Sequence, residues 1–297
     1  MKAFTLEPMT RGYSTPCARE LGHEMRLRRQ ERRLSATDLS RVLGWSLSKV
    51  SRAELGMYRL SEVEVVHYLA ACGTPHEELY EILELKHDEE RNLGYWLRPM
   101  LRSLVYHEST ATRSTSFDAN VVPGLLQTED YASALIRSAN VSDEVFASRL
   151  QARMDRQAVL DRRDPAAFTF FIYEHALHLP VGDTSIIHEQ LLHLVFSTAR
   201  PHITIRVVPA SAWSGSLSAF RLLDYAKEHR PLVYLDHLVG SLFLDDENFV
   251  AAYRDLVPRL DDIALSEGQS REVLVTLASE YDRARGELDA HLEEEQL

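Results

Sequence analysis

The chain has 297 residues, 45% of them hydrophobic and 26% charged, with a formal net charge of −12. Such a length buries a large core and predicts two domains; no apolar run nears the roughly 18 residues of a membrane helix, and no signal-peptide stretch opens the chain, so a cytoplasmic protein is expected. Its two cysteines, Cys17 and Cys72, stand far apart without CxxC spacing, which argues against a disulfide framework or a zinc site.

Residues 1–18 read as a disordered leader and 19–86 as a five-helix bundle. Within the bundle, Ser35 to Gly56 carries two short helices separated by a tight turn. Ser35 is placed to cap the first, whose apolar stripe is Leu39, Val42 and Leu43, and Gly44 ends it where a left-handed residue is wanted. Ser46 caps the second, in which Val50 and Ala53 face inward and Gly56 forms the stop. Leu47, Ser48, Ser51 and Arg52 are left on its outer face. That is the layout of a helix-turn-helix, whose second helix sets its N-terminal residues against base edges in the major groove.

Any helical hairpin needs a cap, a stripe and a stop, so charge decides between a DNA reader and plain scaffold. Between Arg19 and Leu60 stand ten Lys or Arg and five acids, a net +5 that leaves −17 for the remainder. A basic island on an acidic chain is the footprint of phosphate binding. Leu47, Ser48, Ser51 and Arg52 are therefore the base-reading candidates; Thr37, Ser46, Lys49 and Arg59 are the phosphate candidates. Leu47 offers a base only contact with a thymine methyl, whereas Arg52 is the expected guanine reader, worth about 1–3 kcal/mol of discrimination. A fourth helix is predicted from Ser61 with Val63, Val66, Leu69 and Ala70 on one face. A fifth begins near Pro75 with Leu79, Ile82, Leu83 and Leu85 inward.

Residues 87–120 read as a connecting helix and linker: Trp96 falls in a helix ending near Tyr106, and Glu108 to Asn120 is rich in Ser and Thr. The second domain spans 121–285. Val121 to Gln127 reads as a strand end and a Pro-Gly turn, with Thr128 capping the helix that follows. A long helix is predicted from Ser142 to Arg162, with Val145, Leu150, Met154 and Leu160 on its apolar side. Strands are expected at 168–173, 203–208, 220–225, 232–236 and 241–244, the last three at hairpin spacing. Helices at 185–198, 246–265 and 270–288 accompany them. Residues 286–297 form an acidic tail, read as a solvated helix end or as a device that repels or mimics DNA. The fold class is mainly α with an α+β second domain: an N-terminal five-helix bundle and a C-terminal domain of mixed helices and a small sheet.

Catalytic signatures are weak. His188 and His193 come close to the HExxH zinc motif but lie one step too far apart, about 140° around a helix, so no metal site is expected and His193 is read as packed beside Leu192 and Leu194. Ser214-Gly215-Ser216 is not a nucleophile elbow, and no P-loop or dinucleotide fingerprint is present. Glu174, His175 and His178 cluster at one strand end, and Asp236 and His237 at another. If those strands are neighbours, the five line one ligand or partner pocket; otherwise they are polar residues emerging from a sheet. No cofactor and no enzymatic activity are expected.

Two sets of residues carry a family resemblance. Leu21-Gly22, Arg29, Leu34-Ser35, Leu39, Gly44, Ser46, Lys49-Val50-Ser51-Arg52 and Glu54-x-Gly56 resemble the Cro/cI-type (XRE) helix-turn-helix. The resemblance implies a structural ion pair between Arg29 and Glu54. It departs at Leu47 and Ala36, where that family often has Gln, and at Arg33, where it often has a turn-forming Gly. Val121 to Ala132, then Arg149-Leu150-Gln151-Ala152-Arg153, Arg156-Gln157, Tyr173 to Leu177, Gln190 to Leu194, Val207 to Pro209, Phe220 and Val233 to Asp236 resemble actinobacterial regulators that join this module to a C-terminal domain of unassigned function. Some of these are WhiJ-like and others antitoxin-like. His178, Asp236 and His237 are departures. Over about residues 20–285 the resemblance implies a sequence-specific, dimeric transcriptional regulator of double-stranded DNA, expected to be a nucleoid-associated repressor. Its second domain would dimerise or sense a ligand or a small partner protein encoded nearby. The alternative is an antitoxin-like interaction module that regulates only its own operon.

Overall fold

A computed structural model of the chain describes residues 14–91, 95–98, 102–212, 218–226, 229–237 and 240–295. Residues 1–13 of the expected leader, and Ser214-Gly215-Ser216, lie outside the described residues. Two compact units emerge: one takes the chain up to Leu97 with Asp224–Leu232 and Phe243–Phe249, the other Arg98–Leu223, Val233–Leu242 and the chain from Val250.

Side-chain caps set the helices of the first unit. Thr15 Oγ1 accepts from Ala18 N, and Pro16 supplies a fixed φ at the first position of α1 (Pro16–Glu31). Ser35 Oγ accepts from Asp38 N at 3.1 Å to open α2 (Ala36–Leu43), which Gly44 closes at φ 66°. Ser46 opens α3 (Leu47–Glu54) by the same bond to Lys49 N, also 3.1 Å. Ser61 and Glu64 form a reciprocal capping box on α4 (Glu62–Ala71), and α5 is His76–Arg91. Each cap contributes about 1 kcal/mol. The helix starts are thus where the sequence places them, except that residues 14–18 belong to the bundle and not to a leader. Ser14 Oγ donates to Gly56 O, and the Cys17 thiol is buried against Leu85 O.

The core of this unit is Leu21 and Met25 of α1, Leu39 and Leu43 of α2, Val50 and Ala53 of α3, Val65, Tyr68 and Leu69 of α4, and Ile82, Leu83 and Leu85 of α5. Two expected stripes need correction. Val42 is 62% exposed, because the buried side of the eight-residue α2 is Leu39, Ser40 and Leu43. On α4 the buried face is Val65, Tyr68 and Leu69; Val63 is 77% exposed and Ala70 is on the surface. A polar contact selects that face. Arg29 Nε and Nη2 donate to Glu54 Oε1 and Oε2, each at 2.7 Å, Arg29 Nη1 donates to Leu34 O, and the buried Tyr68 hydroxyl donates to Glu54 Oε1 at 2.7 Å. The pairing with Glu54 holds the Arg29 guanidinium charged, and burial pushes the Tyr68 hydroxyl above its ordinary range. Burial likewise holds the Cys72 thiol up at about 11, unreactive at neutral pH. Helices α1 and α3 touch backbone to backbone: a Cβ on Gly22 would lie 2.5 Å from Ala53 O. Arg19 of α1 is buried with its guanidinium 4.5 Å over the Tyr225 ring, donating to Ser14 O.

Residues 95–98, including Trp96, form a short strand, β1 (Tyr95–Arg98), rather than the expected helix, and α6 follows at Arg102–Thr110. The second unit holds β2 (Arg113–Asp118), β3 (Ala167–Tyr173), β4 (Ile203–Val208) and all but the terminal Asp224 of β5 (Phe220–Asp224) and Leu232 of β6 (Leu232–His237), with the first three residues of β7 (Gly240–Leu244); the strand order is β7-β6-β5-β2-β3-β4. Strand β2 pairs parallel with β3 (Phe117 opposite Phe171) and β3 parallel with β4 (Phe170 opposite Ile205). Residues 113–118, expected in the linker, are thus a central strand. Parallel strands need crossovers, here α7 (Glu129–Ser138) and α8 (Asp143–Gln157), then α9 (Glu174–His178) and α10 (Thr184–Ser197). The core under this face joins Phe168, Phe170 and Ile172 to Tyr131, Leu191 and Leu194, and to Leu274 of α13 (Glu267–Glu295). Thr128 and Ser142 cap α7 and α8 as expected. The predicted 142–162 helix ends at Gln157 in a single 3-10 turn, with Val145 exposed. The predicted 246–265 helix is two, α11 (Glu247–Arg254) and α12 (Leu256–Ile263).

Two substitutions test this account of the first unit. Arg29→Met leaves the Glu54 carboxylate buried without its cation, and thermal or denaturant unfolding should show a loss of about 3–5 kcal/mol. Arg33 sits at φ 56°, a left-handed conformation that a non-glycine residue holds at a cost of about 1–2 kcal/mol. Glycine gives back part of that gain as unfolded-state entropy, so Arg33→Gly should stabilise the bundle by about 0.5–1 kcal/mol in the same assay.

Candidate nucleic-acid interface

Helix α3 turns one side into the bundle through Val50, Ala53 and Glu54 and leaves Leu47, Ser48, Ser51 and Arg52 exposed together. All four expected base readers therefore share one outer face. Ser46 is exposed at its N-terminus, where free backbone N–H groups and the helix dipole favour a phosphate, although its Oγ already accepts from Lys49 N. Thr37, in the first turn of α2, and Arg59, beyond α3, are also exposed. The Arg52 guanidinium lies 5.5 Å from the Tyr58 ring centroid, a loose cation–π contact that leaves its head at the surface.

Lys49 is placed otherwise than a phosphate contact. Its ammonium is bonded to the Glu64 carboxylate and lies 4.2 Å over the Trp45 ring and 5.3 Å from that of Tyr58. The hydrogen bond from Lys49, with those from Ser61, holds the Glu64 carboxyl down at about 2. A folded-state value below the ordinary 4.5 stabilises the bundle above pH 4.5, and that contribution disappears as pH falls from 4.5 to about 2. The capping-box spacing Ser61-x-x-Glu64 places this carboxylate at the start of α4, and the tertiary packing of α3 brings Lys49 to it.

The second unit divides the five remaining candidates. Strands β3 and β6 are not neighbours, since β5 and β2 stand between them, so Glu174, His175 and His178 do not share a pocket with Asp236. Glu174 Oε2 instead accepts from Ala210 N at 2.7 Å, closing a loop, and His175 and His178 are exposed on α9. Asp236 borders a cavity of about 160 Å³ with Arg153, Arg156 and Arg221, three cations that the sequence reading did not assign to any site. The His237 side chain lies outside the described residues. His188 pairs through Nδ1 with Ala278 O at 2.8 Å, while His193 is exposed rather than packed between its leucine neighbours. Among the described residues no three His, Cys, Asp or Glu side chains come together as metal ligands, and no helix is long and apolar enough to cross a membrane.

The Lys49–Glu64 pair yields a direct test. Glu64→Gln keeps the acceptor oxygen of the capping box and removes the charge that holds Lys49. Binding to duplex DNA, measured by anisotropy against salt, should strengthen at low salt. The slope of log K against log salt should steepen by about one contact, close to 0.9. An unchanged slope would show that Lys49 remains turned away from the phosphates.

Comparison with known proteins agrees with this division of the chain. Residues 20–82 match a profile described as Helix-turn-helix domain, and residues 101–276 match one described as Domain of unknown function (DUF5753). No curated protein and no solved structure matches. Because the second match spans more than half of the 297 residues, the chain belongs to the DUF5753 family, and it carries that domain behind a helix-turn-helix DNA-binding domain.

Proposed function

We propose that the protein is a sequence-specific transcriptional repressor of the XRE, WhiJ-like kind. It acts as a cytoplasmic, nucleoid-associated dimer on an inverted repeat whose half-sites lie about 34 Å apart. The observation that carries this reading is the shared outer face of α3, where Leu47, Ser48, Ser51 and Arg52 are exposed together in a segment of net +5. Arg52 reads guanine through its guanidinium, Leu47 meets a thymine methyl, and Ser48 and Ser51 accept or donate at either base. Ser46, Thr37 and Arg59 set the register on phosphates. The second domain dimerises the chain and takes up a signal, and the protein works as a regulator rather than as an enzyme.

Selection of genomic DNA fragments on the purified protein, with salt varied, tests the reading. An inverted repeat should be enriched, with affinity falling steeply as salt rises. Arg52→Ala should weaken binding to it by about 1–3 kcal/mol and relax preference at one base of each half-site. No enrichment, or the same enrichment with Arg52→Ala, would remove sequence readout by α3. Enrichment confined to the chain's own upstream region, with a small protein co-purifying in stoichiometric amount, would favour the antitoxin-like module instead.

A further inference from the structure

The sequence string Val121 to Thr128 is held in place by side chains from two helices. Gln190 Nε2 donates to Leu126 O, and its Oε1 accepts from Thr128 N; Gln157 Nε2 donates to Gln127 O; Gln127 Nε2 donates to Val122 O. Every one of these bonds satisfies a backbone group of the loop. The loop so fixed is one wall of the 160 Å³ cavity, through Val121, Val122, Gly124 and Gln127. Leu104 and Phe220 add apolar surface, and the polar wall is Arg153, Arg156, Arg221, Asp118, Tyr234 and Asp236.

The three guanidinium groups of this wall are unequally partnered. Glu108, almost fully buried, takes both Arg156, whose Nε lies 3.1 Å from Oε2, and Arg221, bonded to Oε1. One carboxylate therefore serves two guanidinium groups. Arg153 has a neutral acceptor, Gln127 Oε1 at 2.7 Å, and the Nε atoms of all three arginines are buried without a hydrogen-bond partner. Burial disfavours charge on Arg153, and so does the neighbouring Arg156, while Asp236 and Tyr234 offset part of this. Asp118 accepts from Ser116 Oγ; burial raises its carboxyl, while the Arg221 and Arg156 charges pull it back toward the ionised form, so its attraction goes to those two arginines. Asp236 is exposed. Space for the cations is built in, since a Cβ on Gly124 would come within 3.0 Å of Arg156 Nη2.

From this geometry we propose that the cavity binds a small carboxylate with a compact apolar body. The carboxylate is held by Arg153 with Arg156 or Arg221, and the body lies against Val122, Leu104 and Phe220. Guanidinium groups match a carboxylate in shape as well as charge, and the hydrogen bond of Arg153 goes to a neutral acceptor, Gln127 Oε1, which a carboxylate outcompetes. A cavity of about 150 Å³ accepts a benzene-sized body, so benzoate is a fitting probe, larger than an inorganic ion and smaller than a nucleotide. The site gives a chemical class to the signal of the proposed regulator and rests on that reading only in being called a signal. Its occupancy is measured without DNA, so failure here leaves the DNA reading untouched, and the reverse holds as well.

Isothermal titration of the full chain with sodium benzoate is the test, with benzamide and inorganic phosphate as comparisons. Saturable one-to-one binding of benzoate is expected, at least tenfold tighter than either comparison. Arg153→Gln should weaken it at least tenfold, and so should Ala219→Leu, which fills the cavity and removes no charge. Where Arg153→Gln disturbs the circular dichroism spectrum, Ala219→Leu decides. The proposal is overturned if benzoate gives no saturable heat, if benzamide binds as tightly, or if phosphate does so, which would mean an oxyanion site without an apolar subsite. Wild-type affinity in a folded variant overturns it equally.

Discussion

The contact among Arg29, Glu54 and Tyr68 is the constraint on which the DNA-binding half depends. It joins α1, α3 and α4 through a fork of two 2.7 Å bonds and a third from the tyrosine hydroxyl, all inside the core. Burying both ions is costly, and an apolar substitute of the same shape would serve stability as well or better. What the ionic version adds is direction. A guanidinium–carboxylate fork has a fixed plane and fixed partners, whereas leucine against leucine slides. Glu54 closes α3, so fixing its carboxylate fixes the helix that presents Leu47, Ser48, Ser51 and Arg52. Gly22 enforces the same placement from the other side, because the backbones of α1 and α3 approach too closely for a side chain. The face with Leu47, Ser48, Ser51 and Arg52 is outward because the opposite face is locked.

A count of charge along the sequence overstates what that face offers to DNA. The ten cations from Arg19 to Leu60 include several held by acids inside the same unit: Arg28 pairs with Glu31 at 2.6 Å and Glu78 at 2.8 Å, Arg41 with Asp38 at 3.2 Å, Lys49 with Glu64, and Arg29 with Glu54. Arg41 and Asp38 are both exposed, and such a pair contributes little and yields readily to phosphate. Lys49 is different, since the carboxylate and the Trp45 ring hold it together. In the proposed reading, sequence readout therefore leans on Arg52, and phosphate binding leans on backbone N–H groups at helix starts more than the sequence count suggests.

Local features of the fold were legible in the sequence and long-range choices were not. Ser35, Ser46, Ser61, Thr128 and Ser142 each announced a helix because a cap acts on an amide three residues away. Gly44 and Gly56 announced the stops because they hold positive φ. On α4, by contrast, the expected stripe Val63, Val66, Leu69 and Ala70 and the observed one Val65, Tyr68 and Leu69 both offer helical spacing and share only Leu69. The decision between them comes from Glu54, remote in sequence. Strand β2 escaped notice for a related reason. Its residues Arg113-Ser-Thr-Ser-Phe-Asp118 have the composition of a linker, yet Ser114, Thr115, Ser116 and Phe117 are buried between β5 and β3. What makes the segment a strand is backbone pairing on both edges, with β5 and β3, which no local pattern reveals. The misplaced pocket followed from this: without β2, nothing in the sequence showed that β3 and β6 stand apart.

The same separation explains why the strongest string in the second half says more about scaffold than about recognition. Gln127, Gln157 and Gln190 stand out in the sequence, but their amides are consumed by the backbone of the Val121–Thr128 loop. A loop that turns through Pro123 and Gly124 and then a 3-10 turn leaves carbonyls and N–H groups that no helix or strand satisfies, and buried ones require side-chain partners. Once the glutamines are committed, the groups left to meet a ligand are those whose charge exceeds what Glu108 compensates. Those are arginines on α8 and β5, drawn from segments far apart in the chain. The motif therefore builds the wall, and the cations that give the cavity its chemistry are recognisable only when the sheet brings them to it.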